Sequence, residues 1–392
     1  MPDIKALAAA MDQALPAILA DAERAVLIDS GSYDAAGVNM VQDLWAGILA
    51  GMGFTVERVP LPGFGDQLTA RLPLGNGPRV LVLGHADTVW PAGTVAEWPF
   101  RREGDRITGP GVGDMKANVV MAMHAIRVLL ARGLSGLGSI TFLTVPDEEI
   151  GSPGSRAWIE EEARRADLCL TLEPARPGGG TVIGRGAIGA VYVRAHGIEA
   201  HCGAAREKGA SAIAALAPMI AEIEALSDFA AGSYATAGIF VGGKARQVVP
   251  NEAAIHFDLR APDDEAADKL LTALRAIATR PPADPRVRIE VTGGFTRPAF
   301  PTLPGMHAFY AMAEGFAHTL DAPIFSLVSR GGSDGAFAAR LGVPTLDGLG
   351  PVGHDICSRS EWTEVSSITP RGAIFAGLIA AAAEGRVPPR GR

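Results

Sequence analysis

The chain is predicted to fold as an α/β protein with a mostly parallel central sheet, interrupted by a ferredoxin-like α+β domain. Three observations predict this. Strand-like and helical runs alternate through residues 4–172. After Gly178-Gly179-Gly180 the texture changes to a compact β-α-β-β-α-β order. After Pro298 the α/β texture resumes. We therefore expect residues 1–185 and 298–392 to form one domain, with residues 186–297 inserted as a second.

The elements follow in order. Residues 4–25 and 36–52 are predicted helical; in the second, Val41, Leu44, Trp45, Ile48 and Leu49 keep helical spacing and Gly51 and Gly53 end it. Strands are predicted at 54–59, 68–72 and 79–84, a helix at 116–131 and a strand at 140–145. A helix at 155–165 and a short strand at 168–172 close the first segment. The insert has strand-like 187–197, 255–260 and 287–292, with helices at 211–226 and 264–278. The last segment holds a helix from His307, strands at 324–328 and 344–346, and helices at 335–341 and 367–383.

The 392 residues are 48% apolar and 20% charged, ordinary globular composition with room for two or three domains. A net charge of −8 argues against nucleic acid or an anionic membrane as the main partner. It leaves open an anionic small substrate, which needs one cationic pocket. Three widely spaced cysteines, Cys169, Cys202 and Cys357, form no disulfide framework and fit a reducing cytoplasm. The N-terminus reads as an amphipathic helix, not a signal peptide. The apolar run Ala373–Ala383 is too short to span a bilayer.

Thr144-Val145-Pro146-Asp147-Glu148-Glu149-Ile150-Gly151-Ser152 sets two adjacent glutamates at the end of an apolar strand. On an extended segment neighbouring side chains diverge, so one can hold a metal while the other takes a proton from attacking water. Gly84-His85-Ala86-Asp87-Thr88 ends another strand, where ligands of α/β sheets bind. At i, i+2 Asp87 can accept the spare ring N–H of His85 and leave the other nitrogen to a metal; the alternative is a core histidine satisfied by a local carboxylate. Asp114, in Gly109-Pro110-Gly111-Val112-Gly113-Asp114-Met115-Lys116, is either a helix cap or a carboxylate bridging two cations. Glu173 ends a strand against Pro174, and His354 sits in a glycine-rich loop.

Two imidazoles and several carboxylates suit zinc, and a shared carboxylate suits a two-metal site. No HExxH, Cys-x-x-Cys or G-x-S-x-G motif is present. Cys357 is read as a bystander, since a carboxylate-rich site needs no soft thiolate.

The order GHADTV, GPGVGDMK, PDEEIGS, LEP and a late GHD resembles the di-zinc aminoacylase and carboxypeptidase metallopeptidase family. The resemblance runs from Asp29 to His354. It looks closest to the bacterial glutamate carboxypeptidase branch, through Arg297-Pro298-Ala299-Phe300, Gly331-Gly332-Ser333-Asp334-Gly335 and Asp347-Gly348-Leu349-Gly350. It implies a zinc-peptidase-like catalytic domain and an inserted lid and dimerisation domain. It also implies two Zn2+ per subunit, with Co2+ or Mn2+ as substitutes. His85 and Glu173 would hold one ion, and Glu149 and His354 the other. Asp114 would bridge them, often beside a cis peptide. Asp87 would orient His85, and Glu148 would be the general base. His201 would steady the oxyanion in the partner subunit of a homodimer. Arg297 would grip the substrate carboxylate, with Gln247 and Gly332 also in the substrate site. Gln247 stands where relatives often carry Asn, and Ala117-Asn118 where they often carry glycines.

The expected activity is zinc-dependent hydrolysis of an amide bond that releases a C-terminal, glutamate-like amino acid from an N-acyl or peptidyl substrate. The alternatives are a general N-acyl amino acid deacylase or dipeptidase and, from another class, a non-catalytic binding relative. Glu148 argues against the last, because a purely structural metal site has no use for a free base.

Overall fold

The structure, a computed structural model, describes residues 2–391; Met1 and Arg392, the ends of the expected first domain, lie outside the described residues. The chain divides into two compact units. One comprises Met1–Gly184, Pro301–Ser329 and Ser333–Arg392; the other comprises Arg185–Phe300 and Arg330–Gly332.

The first unit is built on a six-stranded sheet. Its spatial order is Thr55–Val59, Gln67–Pro73, Ser139–Val145, Arg79–His85, Leu168–Thr171 and Thr345–Leu346. The last four run parallel, and the first two add an antiparallel edge. The parallel strands are nearly continuous runs of buried apolar residues, as expected where helices cover both faces of a sheet. On one face lie Ile4–Val26, Ala117–Ala131 and Val365–Ala383, which pack on one another around Trp45, Phe142, Phe309 and Phe375. Gly372 sits directly against the Met11 methyl group, which would have to shift to admit a Cβ there. On the other face Arg156–Arg165 and Gly335–Arg340 cover Leu81, Leu83 and Leu143, the second helix contributing Phe337.

The apolar run expected at Ala373–Ala383 is part of the 19-residue helix Val365–Ala383. By length and mean hydropathy, 1.3, this helix would reach across a membrane, but 83% of its most apolar window is buried inside the protein. It is the central helix of the core.

The second unit is a four-stranded antiparallel sheet, in the order Tyr234–Gly242, Glu252–Ala261, Ala187–His196 and Arg288–Arg297. Helices Ala212–Glu224 and Asp264–Ala278 pack on it around Leu216, Phe257 and Leu274. Chain order and strand order together give the ferredoxin-like topology. Sequence reading missed the edge strand Tyr234–Gly242. Its burial does not alternate cleanly, and a bulge between Ala237 and Ile239 breaks its register. Residues 330–332 also pack with this unit, so Gly332 belongs with the insert and not, as expected, with the first domain. Arg185 donates to the Gly331 carbonyl at 2.9 Å and Arg260 to that of Arg330 at 3.1 Å, which holds the segment there.

Candidate metal centre

Three adjacent parallel strands end side by side: in the ladder His85 pairs with Val145, and Leu83 with both Leu143 and Thr171. Their carboxyl ends therefore deliver His85, then Glu148 and Glu149 just past Val145, then Glu173 just past Thr171, to one edge of the sheet. Asp114 arrives from the turn Val112–Lys116 that leads into the helix Ala117–Ala131.

The side chains converge. One donor atom each from His85, Glu148 and Glu173 lie within 4.8 Å of one another, and the same holds for His85, Asp114 and Glu149. His85 Nε2 is 3.1 Å from Asp114 Oδ1 and 3.9 Å from Glu148 Oε2. The Asp114–Met115 peptide is cis, the arrangement the family resemblance implies.

His354 lies outside both groups. Its Nε2 is 2.7 Å from Glu364 Oε1, and its ring stacks on Trp362 with centroids 3.9 Å apart.

Two expectations about local geometry change. Glu148 and Glu149 occupy a 3-10 turn, Glu148–Ile150, and not an extended segment. They still diverge, because successive residues of such a turn point about 120° apart. Asp87 also acts differently. The partner of His85 Nδ1 is the Asp87 main-chain carbonyl, at 2.9 Å, with the carboxylate farther away at 3.5 Å. That carboxylate accepts from the Glu148 N–H and the Glu149 N–H, each at 3.1 Å, and from Ser32 Oγ at 2.7 Å. Asp87 thus sets the ring with its backbone and the glutamate turn with its side chain. Burial pushes its carboxyl up to about 6, against the pull of His85.

The electrostatics ask for a cation. Burial, reinforced by Asp114, holds the Glu149 carboxyl well above the ordinary glutamate range; burial, Asp114 and Glu148 do the same to Glu173. Asp114 is equally buried, but its hydrogen bond and ion pairing with His85 outweigh burial and draw it below the usual value. Glu149 Oε1 is buried and has no hydrogen-bond partner. An orphaned carboxylate oxygen among four acids and one imidazole is what a bound divalent cation would satisfy. The donor set is all N and O, as zinc accepts.

Four supporting residues were invisible or discounted in the sequence. Glu361, 1% exposed, accepts the N–H groups of Gly113 and Asp114 at 2.8 and 3.2 Å. Asn118 Nδ2 donates to the carbonyls of Gly113 at 2.7 Å and Leu172 at 2.9 Å, tying the Asp114 turn to the strand end that carries Glu173. Lys116 donates to the Ile28 carbonyl at 2.6 Å, and burial lowers its ammonium to about 7. Cys357 is no bystander: its Sγ lies 3.6 Å from Asp114 Oδ2. Asn118 left a trace in the sequence as a departure from the family's glycines, and Lys116 as the end of the GPGVGDMK run; Glu361 and Cys357 lie far along the chain from what they support.

In the second unit, His201 pairs with Val248 in a two-residue ladder, and the Gln247 carbonyl accepts the Cys202 N–H at 2.9 Å. His201 and Gln247, distant in sequence, are thus brought side by side by this short antiparallel ladder, and both are exposed. His201 Nδ1 accepts the N–H groups of Gly203 and Ala204, each at 3.1 Å. Main-chain N–H groups can only donate, so the ring proton sits on Nε2, which faces outward as a donor. Arg297 is 9% exposed at the end of its strand. A Cβ at Gly332 would lie 2.6 Å from Arg297 Nη1, so glycine there makes room for the guanidinium.

A sheet edge with one imidazole and several buried carboxylates, on this two-unit fold, is the framework of a metal-dependent hydrolase of amide bonds. The chain belongs to Peptidase family M20/M25/M40, whose sequence profile it matches over residues 81–381. Carboxypeptidase G2 of Pseudomonas sp. (strain RS-16) is 32% identical over 378 residues, covering 93% of this chain and 89% of that protein. A succinyl-diaminopimelate desuccinylase of Alkalilimnicola ehrlichii is 30% identical over 357 residues, covering 86% of this chain and 92% of that protein. Among solved structures, aminopeptidase PepT of Bacillus cereus has the same fold, with a TM-score of 0.77 at 22% identity, covering 94% of this chain and 99% of that one.

Proposed function

We propose that the protein hydrolyses an amide bond to release a C-terminal, glutamate-like amino acid from an N-acyl or peptidyl substrate, using two zinc ions. The observation that carries this is the convergence of His85, Asp114, Glu148, Glu149 and Glu173 at one sheet edge. Similarity to a carboxypeptidase over nearly the whole chain favours release of the C-terminal residue. The desuccinylase relatives keep a second reading open, a more general N-acyl amino acid deacylase.

In this reading His85, Asp114 and Glu173 hold one ion, and Asp114, Glu149 and His354 the other. His354 would have to turn from Glu364 to join them. When bound, the ions polarise the scissile carbonyl and acidify the attacking water. Glu148 accepts the water's proton and passes it to the leaving amine. His201 donates its Nε2–H to the oxyanion, from the partner subunit of a homodimer. Arg297 grips the substrate carboxylate with its planar fork, and Gly332 leaves room for it. Gln247, beside the same short ladder as His201, offers a side-chain amide to the same end of the substrate.

A homodimer formed through the insert is supported by the edge strand Tyr234–Gly242, where Ile239, Phe240 and Val241 are 41–56% exposed. The three cysteines are free, which suits a cytoplasmic setting.

A panel of substrates with one acyl group and varied released amino acids tests the specificity. Glutamate and aspartate should exceed neutral residues by at least about tenfold in kcat/KM, and lysine by more, because a second carboxylate adds attraction to the Arg297 cation and an ammonium is repelled by it. Equal rates across the panel would favour the general deacylase.

A further inference from the structure

In the run Gly331-Gly332-Ser333-Asp334-Gly335, Gly332 makes room for Arg297, but Asp334 has no part in the reaction proposed above. Asp334 is 2% exposed and stands at the head of the helix Gly335–Arg340, which its side chain does not cap. Its carboxylate reaches instead across 182 residues of chain to the glutamate turn, where Ser152 Oγ donates to Asp334 Oδ1 in a short hydrogen bond. Ser152 is wholly buried.

Ser152 closes the turn that carries Glu148 and Glu149. The 3-10 turn Glu148–Ile150 ends in Gly151 at φ 96° and Ser152 at φ 54°, two left-handed residues in succession. The Gly151 N–H donates to the Glu148 carbonyl and the Ser152 N–H to the Asp147 carbonyl, both at 2.8 Å. Left-handed backbone suits glycine and is uncommon for a residue with a Cβ. What serine adds at this position is a hydroxyl, and that hydroxyl is bonded to Asp334.

The turn is therefore held at both ends. Asp87 accepts the leading N–H groups, those of Glu148 and Glu149. Asp334 holds the trailing end through Ser152. The support behind Asp334 is rigid: its carbonyl accepts the Phe337 N–H at 3.0 Å, and Phe337 and Ala338 are buried in one cluster with Leu143 and Val145, on the strand that leads into the turn.

We propose that Asp334 is a positioning residue for the general base: by accepting from Ser152 it fixes the trailing end of the glutamate turn, and with it the reach of Glu148 to the attacking water. The proposal rests on the amidohydrolase reading. Proton transfer needs the base within hydrogen-bond reach of the water, so a turn free at one end presents Glu148 in place only part of the time. The hydrogen bond is what matters, and any acceptor oxygen at this place would serve Ser152.

The test compares four variants with the wild type on N-acylglutamate at saturating zinc, with thermal melts alongside. Ser152→Gly removes the hydroxyl and suits the left-handed backbone. Asp334→Ala removes the acceptor, Asp334→Asn keeps one, and the fourth variant joins Ser152→Gly to Asp334→Ala. Ser152→Gly and Asp334→Ala should each lower kcat about tenfold, with KM and zinc content unchanged. The double variant should be no slower than the worse single one, because both changes break one link. Asp334→Asn should keep kcat within about threefold of the wild type. Should Asp334→Ala fail to fold, Ser152→Gly and Asp334→Asn carry the test. An unchanged kcat in Ser152→Gly, a change confined to KM, losses that multiply in the double variant, or Asp334→Asn as slow as Ser152→Gly would each overturn the positioning role and leave the amidohydrolase standing. No turnover of any N-acyl amino acid by the wild type would overturn the amidohydrolase reading and this role with it.

Discussion

Glu148→Gln is expected to lower kcat by about 100- to 10,000-fold while leaving the bound zinc in place, a barrier increase of about 3–5 kcal/mol. The amide has nearly the carboxylate's shape but cannot take a proton. The turn itself should survive, because Asp87 grips the main-chain N–H of Glu148 and not its side chain. Metal content measured beside turnover separates two roles that the geometry permits. Glu148 shares a donor group with His85 and Glu173, so it has the reach of a ligand as well as a base. Loss of metal together with activity would make Glu148 a ligand; full activity would remove it from the reaction.

His201→Ala is expected to cost about 100- to 1,000-fold in kcat, the usual loss for one oxyanion donor. The turn that follows His201 fixes its tautomer, since the N–H groups of Gly203 and Ala204 both point at Nδ1. The side chain thereby offers a single, preset donor. If it serves the partner subunit, an equal mixture of His201→Ala and Glu148→Gln chains should recover about a quarter of wild-type activity after exchange, because half the dimers are mixed and each holds one complete site. Exchange without recovery would place His201 in its own subunit's site or outside the reaction.

Much of this architecture was readable from residue order. Buried parallel strands are runs of β-branched and apolar residues, and they announce both their position and where they stop. His85, Glu149 and Glu173 were legible because a polar residue at the end of such a run has few reasons to be there. The support around them was not. Glu361 sits 247 residues from Asp114, whose N–H it accepts, so only the folded chain brings them together. Asn118 looked like a tolerated departure from glycine, yet it connects the Asp114 turn to the strand leading to Glu173. The strand Tyr234–Gly242 hid behind its glycines and its bulge, and its exposed edge departs from the alternation by which half-buried strands are recognised.

The same contacts explain why the glutamate pair is usable. Asp87 holds both N–H groups of the turn, which fixes where the two carboxylates diverge. Burial and the neighbouring Asp114 hold the Glu149 and Glu173 carboxyls well above the ordinary glutamate range, a penalty on their ionised forms that a bound cation would offset. A site of this kind is costly to the folded chain without metal and well matched with it.

The most direct test is a zinc titration of chelator-stripped protein, following turnover of an N-acylglutamate against equivalents added. Activity should be absent at the start and rise to a plateau at about two ions per chain. Turnover that survives stripping, or a chain that fills with zinc and hydrolyses no acyl amino acid, would contradict the account.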